Sequence, residues 1–134
     1  LIAPDAAAAT EAQRALASIG LDRVVGAFDL DALVGSLATV TKGDINAAAE
    51  MQATGRRVID LREPNEWNAG HLAGAELHPL GTVTTTLAAL DRTTPLAIHC
   101  QAGARSAIGA SVLERMGFTD VVDLTAGYGG RSTG

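Results

Sequence analysis

From Lys42 onward the apolar positions fall into short β-rich runs separated by stretches with helical spacing. That alternation predicts an α/β fold with a central, mainly parallel sheet flanked by helices. Val58-Ile59-Asp60-Leu61 reads as one strand, Ala75 to Leu77 as a second, Leu96-Ala97-Ile98-His99 as a third and Val121-Val122-Asp123-Leu124 as a fourth. Asp44 is the expected N-cap of a helix through Met51, and residues 83–90 predict a shorter one. The best-defined helix is predicted from Arg105 to Met116, because Ile108, Val112 and Met116 recur at i, i+4 and i+8 and Gly117 supplies a stop. It follows the third strand after a short loop containing glycine, and this strand–loop–helix unit carries the reactive residues.

The N-terminal stretch contains an internal echo. Leu16-Ala17-Ser18-Ile19-Gly20-Leu21-Asp22-Arg23-Val24-Val25 resembles Leu113-Glu114-Arg115-Met116-Gly117-Phe118-Thr119-Asp120-Val121-Val122 at an offset of 97 residues, with matches at the Leu, the Gly and both Val positions. In that register Cys100, Gly103 and Arg105 correspond to Ala3, Ala6 and Ala8, so the first copy keeps none of the chemistry. Residues 1–37 are therefore expected to be the helix and strand that end a degenerate preceding copy, and residues 38–134 the complete domain. The alternative is an unrelated helix with a glycine stop. The two differ in that the repeat requires a helix followed by a strand within residues 5–28.

Composition narrows the function classes. A chain of 134 residues has room for one ordinary domain plus an extension. Hydrophobic residues make up 47% but aromatics only 3%, which predicts an aliphatic, closely spaced core. The net charge of −5, with no basic run longer than Arg56-Arg57, argues against a nucleic acid partner. No stretch approaches the ~20 apolar residues of a spanning helix, and the N-terminus lacks the layout of a signal peptide, so no membrane association and a cytoplasmic location are expected. A start at Leu1 suggests a domain taken from something longer. The single cysteine cannot form an internal disulfide and is a poor metal site, so neither a metal nor an organic cofactor is expected.

The loop Cys100-Gln101-Ala102-Gly103-Ala104-Arg105-Ser106 carries the candidate chemistry. A cysteine directly after a buried parallel strand sits at the carboxyl edge of the sheet, where open α/β folds place their sites. Successive backbone N–H groups in such a turn, with the following helix N-terminus, form an anion-holding concavity. A thiolate or a persulfide is an anion. These dipoles, with Arg105 nearby, are expected to lower the thiol pKa from its free value of ~8.5 towards the range ~3.5–7.5 reached by positioned cysteines. Gly103 allows the backbone to bend close to sulfur, and the small Ala102 and Ala104 leave the mouth open. The competing reading is an inert buried thiol, which the glycine-containing loop, the adjoining helix and Arg105 disfavour.

At this loop the sequence resembles the rhodanese family, and the likeness extends over most of residues 39–130. Val58-Ile59-Asp60-Leu61-Arg62-Glu63-Pro64-Asn65-Glu66-Trp67 is similar to the family's strand-and-turn signature, Gly70-His71-Leu72-Ala73-Gly74-Ala75 followed by Pro79-Leu80 to its second hallmark, and Cys100 through Ser106 to its third. The resemblance implies the rhodanese-like fold and a two-step exchange without a cofactor. Cys100 takes sulfane sulfur from thiosulfate or a thiol persulfide, then passes it to a thiol or to cyanide, which is nucleophilic covalent catalysis. Related phosphatases and arsenate reductases use a longer Cys-x5-Arg loop, whereas Arg105 follows Cys100 after four residues. The degenerate first copy and the Gly20-Leu21-Asp22-Arg23-Val24-Val25 segment resemble fusions with a metallo-hydrolase or persulfide-dioxygenase-like domain upstream.

Asp60 and Arg62 lie past a strand end on the same sheet edge as Cys100, where they either support the loop or, for Arg62, touch substrate; a buried ion pair is equally compatible. His71 is expected to pack or to hydrogen-bond with Glu63 or Glu66, Trp67 to anchor the core or its rim, and His99 to point to the strand face away from Cys100. The sequence departs from the family in two places. Gln101 and Ala102 stand where thiosulfate-preferring members carry a basic residue, which favours a persulfide donor, and Arg131 stands where a Trp is expected. An active sulfurtransferase is thus the first functional expectation. The second is a non-enzymatic sulfur-relay or interaction module within a larger fusion.

Overall fold

In the computed structural model, which describes residues 1–29 and 39–131, the chain divides into two units, Leu1–Thr39 and Val40–Gly134. The boundary expected between residues 37 and 38 lies outside the described residues. The first unit is a β–α–β crossover. Strand β1 (Ile2–Ala3) leads into helix α1 (Ala6–Ser18), which Asp5 caps by accepting the Ala8 N–H at 2.8 Å. Gly20, at φ 83°, ends the helix, and strand β2 (Phe28–Asp29) returns parallel to β1. Val24 and Val25, which the internal echo matches to Val121 and Val122, are not in a strand. The Val24 N–H turns back onto Asp22 O, and the pairing partner of β1 comes four residues after Val24, at Phe28.

The second unit holds a five-stranded, all-parallel sheet in the order β3-β7-β6-β4-β5, with β3 at Thr41–Asp44, β4 at Arg57–Asp60, β5 at Glu76–Leu77, β6 at Leu96–His99 and β7 at Val121–Thr125. Side-chain alternation sorts the apolar residues onto two faces. Ile59, Leu61, Leu96, Ile98 and Cys100 share one face with Ala110, Leu113 and Phe118. Val58, Ala97, Val122 and Leu124 share the other with Ile45 and Ala48. Burial on both faces explains why the middle of β4, Val58-Ile59, and the start of β6, Leu96-Ala97-Ile98, are apolar without alternation. Asp44 accepts the Asn46 N–H and caps a 3-10 turn, Ile45–Ala47, that runs into helix α2 (Ala48–Ala53).

Two elements have no counterpart in the expected pattern. Strand β3, Thr-Lys-Gly-Asp, is a short edge strand mostly exposed to solvent and so lacks an apolar signal. Helix α3 (Pro64–Asn68) is a single turn, started by Pro64 at its first position and by a reciprocal Glu63–Glu66 capping box. Helix α4 (Val83–Thr86) covers only the first half of the predicted 83–90 helix. Helix α5 (Ala104–Arg115) forms where expected, with Val112 packed, partly buried, against the core. Its buried row is Ser106, Gly109, Ala110 and Leu113, while Ile108 is 56% exposed. Close approach decides this. A Cβ on Gly109 would lie 2.3 Å from Leu61 Cδ1, so only small residues let the helix axis settle against the sheet. No helix among the described residues is long and apolar enough to cross a membrane.

Candidate active site

Strand β6 lies between β4 and β7, and Cys100 is the first residue beyond its carboxyl end. The following backbone turns through Gly103, whose left-handed φ of 95° suits glycine, and enters α5. The turn folds its amides back over the sulfur. Gly103 N–H donates to Cys100 Sγ at 3.2 Å, and the N–H groups of Ala102 and Ser106 also face it. The thiol points at Ser106 Oγ, 3.8 Å away, and the Ser106 hydroxyl donates to Gly103 O at 3.0 Å.

Cys100 is only 1% exposed and its other side rests in the apolar cluster with Ile98 and Leu61. Burial is the largest single influence on its titration and raises the pKa. The amides of Ser106, Ala102 and Gly103, with the Ser106 hydroxyl, together outweigh it and hold the thiol below its ordinary value. The cradle therefore stabilises negative charge on sulfur through main-chain dipoles.

Arg105 does not lie free beside the thiolate. Its guanidinium forms a bidentate pair with Glu66 of α3, with Nη1 to Oε2 at 2.6 Å and Nη2 to Oε1 at 2.7 Å. The pair holds Glu66 at about 2, against an ordinary 4.5, and raises Arg105 further. Arg105 thus clamps α3 to the cysteine loop. Gln101, Ala102 and Ala104 are exposed at the mouth, and Ser106 is fully buried.

Beneath the loop, Arg62 is 2% exposed and Asp60 is fully buried. Arg62 donates to both Asp60 oxygens at 2.8–3.0 Å, to Gly70 O at 2.8 Å and to Gln101 Oε1 at 3.2 Å. Asp60 and Arg62 thus form a buried ion pair that reaches the cysteine loop through the Gln101 side chain. His99 sits beside Asp60 on the face away from Cys100, its Nε2 3.7 Å from Asp60 Oδ2. Burial lowers its pKa below the ordinary histidine value, against the opposing pull of Asp60. His71 contacts neither Glu63 nor Glu66. Its ring stacks on Trp67 at 3.8 Å between centroids, with Nδ1 facing Trp67 O, because the two acids are engaged in the α3 cap and the Arg105 pair.

The segment after β7, where Arg131 stands in place of the family's Trp, completes the site. Ala126 at φ 64° and Gly127 at φ 59° reverse the chain, and Tyr128 N–H then donates to Cys100 O at 2.7 Å and Gly129 N–H to Gln101 O at 3.0 Å. Tyr128 packs with Arg62 Cζ 4.0 Å and Arg131 Cζ 3.6 Å from its ring centroid. A hollow of about 320 Å³ lies beside the loop, lined by Arg62, Glu66, Ala69, Gln101, Tyr128 and Arg131. Among the described residues, no group of three or more His, Cys, Asp and Glu side chains is arranged to hold a metal ion.

A parallel α/β domain with a lone thiol in a ring of amides past its central strand falls in the class of single-cysteine-loop domains. The model of the Rhodanese-like domain matches residues 44–130, and the chain belongs to that family. It is 31% identical over 81 residues to a thiosulfate sulfurtransferase GlpE of Pseudomonas paraeruginosa, covering 60% of this chain and 74% of that one. It is 35% identical over 78 residues to the probable adenylyltransferase/sulfurtransferase MoeZ of Mycobacterium tuberculosis, covering 55% of this chain and 20% of that protein. Among solved structures, reduced CoADR-RHD of Bacillus anthracis superposes with a TM-score of 0.62 at 27% identity, over 67% of this chain and 16% of that one. A rhodanese-like domain protein of Staphylococcus aureus, at 23% identity and a TM-score of 0.59, covers 66% of this chain and 87% of that one and shares the fold.

Proposed function

We propose that residues 38–134 form a sulfurtransferase in which Cys100 carries sulfane sulfur as a persulfide. The observation that carries this reading is the amide cradle, with Gly103 N–H 3.2 Å from Sγ and a thiol held below its ordinary pKa. The relatives named as sulfurtransferases support it. The Cys100 thiolate attacks the outer sulfur of thiosulfate or of a thiol persulfide, a new S–S bond forms at Sγ, and sulfite or a thiolate leaves with the electron pair of the broken bond. A cyanide ion or thiolate then attacks the terminal sulfur, and the Cys100 thiolate departs. The same N–H groups that hold the thiolate face the charge of the persulfide, so the cradle serves both halves of the exchange.

With Gln101 and Ala102 in place of basic residues, the mouth of the loop favours a persulfide donor over doubly charged thiosulfate. Gln101, Ala102, Gly103, Ala104, Arg105 and Ser106 form the anion-binding loop, and Asp60 and Arg62 support it from below. In the wider chain, the β1–α1–β2 crossover parallels β6–α5–β7, which supports reading residues 1–37 as the end of a preceding degenerate rhodanese-like copy; the further proposal of a metallo-hydrolase-like domain upstream rests on the sequence resemblance alone.

The test is mass spectrometry after donor treatment, together with cyanide-dependent thiocyanate formation from thiosulfate and from glutathione persulfide. A gain of one sulfur, lost in Cys100→Ser, with turnover from either donor is expected. Sulfur uptake without turnover from either donor would replace the enzyme reading with a relay to a fused or docked partner. No uptake at all would remove both.

A further inference from the structure

The hollow beside the cysteine loop has an uneven charge balance. Arg62 is matched by Asp60, and Glu66 is matched by Arg105. Arg131 lines the same hollow and has no acidic partner among the described residues. It is nonetheless held in place. Its Nη1 donates to Tyr128 O at 2.7 Å, and its guanidinium lies over the Tyr128 ring. Arg62 lies over that ring as well, so both guanidinium groups pack on the tyrosine, at 3.6 and 4.0 Å from its centroid. The Tyr128 hydroxyl comes close to Gly70, where an added Cβ would lie 2.7 Å from it. The ring is therefore fixed at three points, and Arg131 keeps most of its five donors for something else.

We propose that this hollow is the subsite for the thiol partner of the exchange, and that Arg131 selects thiols bearing a carboxylate. The inference rests on the sulfurtransferase reading of Cys100 and adds the class of its organic substrate. A hollow of about 320 Å³ fits a small organic thiol. Gln101 joins it to the cysteine loop, and the Tyr128 N–H bond to Cys100 O ties its wall to the residue that would hold the persulfide. A planar guanidinium with free paired donors matches a carboxylate in two-point geometry. The adjoining Glu66 carboxylate does not repel such a ligand strongly, because both of its oxygens are engaged by Arg105.

The test compares 3-mercaptopropionate with its methyl ester as acceptors from sulfur-loaded full-length chain, in wild type, Arg131→Gln and Arg131→Lys. The ratio of KM for the ester to KM for the acid should fall about tenfold in Arg131→Gln, equivalent to about 1.4 kcal/mol, and less in Arg131→Lys, which keeps the charge but not the fork. An unchanged ratio, or a change confined to the KM for thiosulfate, would overturn the assignment. A second readout does not need turnover. In the unreactive Cys100→Ser protein, 3-mercaptopropionate should shift the amide resonances of Gly129 and Gly130, and Cys100→Ser/Arg131→Gln should abolish those shifts. Shifts without sulfur loading in the wild type would keep the anion subsite and remove the sulfurtransferase reading. Sulfur loading without shifts and without acid selectivity would do the reverse.

Discussion

Gly127 is the position where one methyl group should do the most damage to the cysteine loop. Its backbone, at φ 59° and ψ −167°, lies in a region open essentially to glycine alone, and a side chain held there costs on the order of 1–3 kcal/mol. An added Cβ would also meet Cys100 O at 2.5 Å, Gln101 C at 2.7 Å and Ala102 N at 2.8 Å. These are main-chain atoms and cannot rotate aside. The clash is relieved only by lifting the turn off the loop, which breaks the bonds from Tyr128 N–H to Cys100 O and from Gly129 N–H to Gln101 O, each worth a net ~1 kcal/mol. Gly127→Ala should therefore lower the unfolding free energy by about 3–5 kcal/mol, a large part of the 5–15 kcal/mol typical of a domain. Gly55→Ala is the matched control. Gly55 also has positive φ, at 90°, but a Cβ there meets nothing within 4 Å, so it should lose only about 1 kcal/mol. Urea denaturation followed by circular dichroism measures both. Equal losses in the two variants would refute the argument that the final turn is pressed onto the cysteine loop.

Other outcomes follow from the same geometry. Ser106→Ala removes a hydroxyl that helps lower the Cys100 pKa, so the pH midpoint of thiol alkylation should rise and the rate below neutrality should fall several-fold; an unmoved profile would leave the amides alone as its cause. Glu66 has a folded pKa of about 2 against an ordinary 4.5, so its pair with Arg105 contributes fully above 4.5 and is lost as pH falls through about 2. Glu66→Gln should thus cost up to about 1 kcal/mol at neutral pH, and denaturation curves of variant and wild type should converge towards pH ~2. Arg62→Met strands the fully buried Asp60 charge and should cost about 3–5 kcal/mol, much of it recovered in Asp60→Asn/Arg62→Met. A double variant no more stable than the single one would show that the charge is not what matters there.

The sequence made the cysteine loop legible because its signal is local. Cys100 follows a four-residue buried strand and precedes a helix, and that order brings amides to the sulfur. Contacts set by distant chain segments were not legible. The Glu66–Arg105 clamp joins residues 39 positions apart, and nothing in the capping box that holds Glu66 signals its second role. Tyr128 and Arg131 reach the site through a reversal at two positive-φ residues, one of them an alanine, which no turn pattern announces. On α5 Val112 and Met116 of the spaced set do pack, partly buried, against the core, but Ile108 faces solvent and the fully buried row is set by side-chain size. The sheet accepts the side of the helix that can come nearest, and Gly109 and Ala110 mark it.

The sheet order joins the two ends of the second unit, since β3, its first strand, pairs along its length with β7, its last. The turn that seals the cysteine loop comes later still, at residues 127–130. During synthesis Cys100 and the loop amides that face its sulfur therefore emerge before the strand and the turn that brace them. A message cut short just after β7 should thus yield a chain that keeps the amides of Ala102, Gly103 and Ser106 but lacks the two main-chain bonds that brace Cys100 O and Gln101 O.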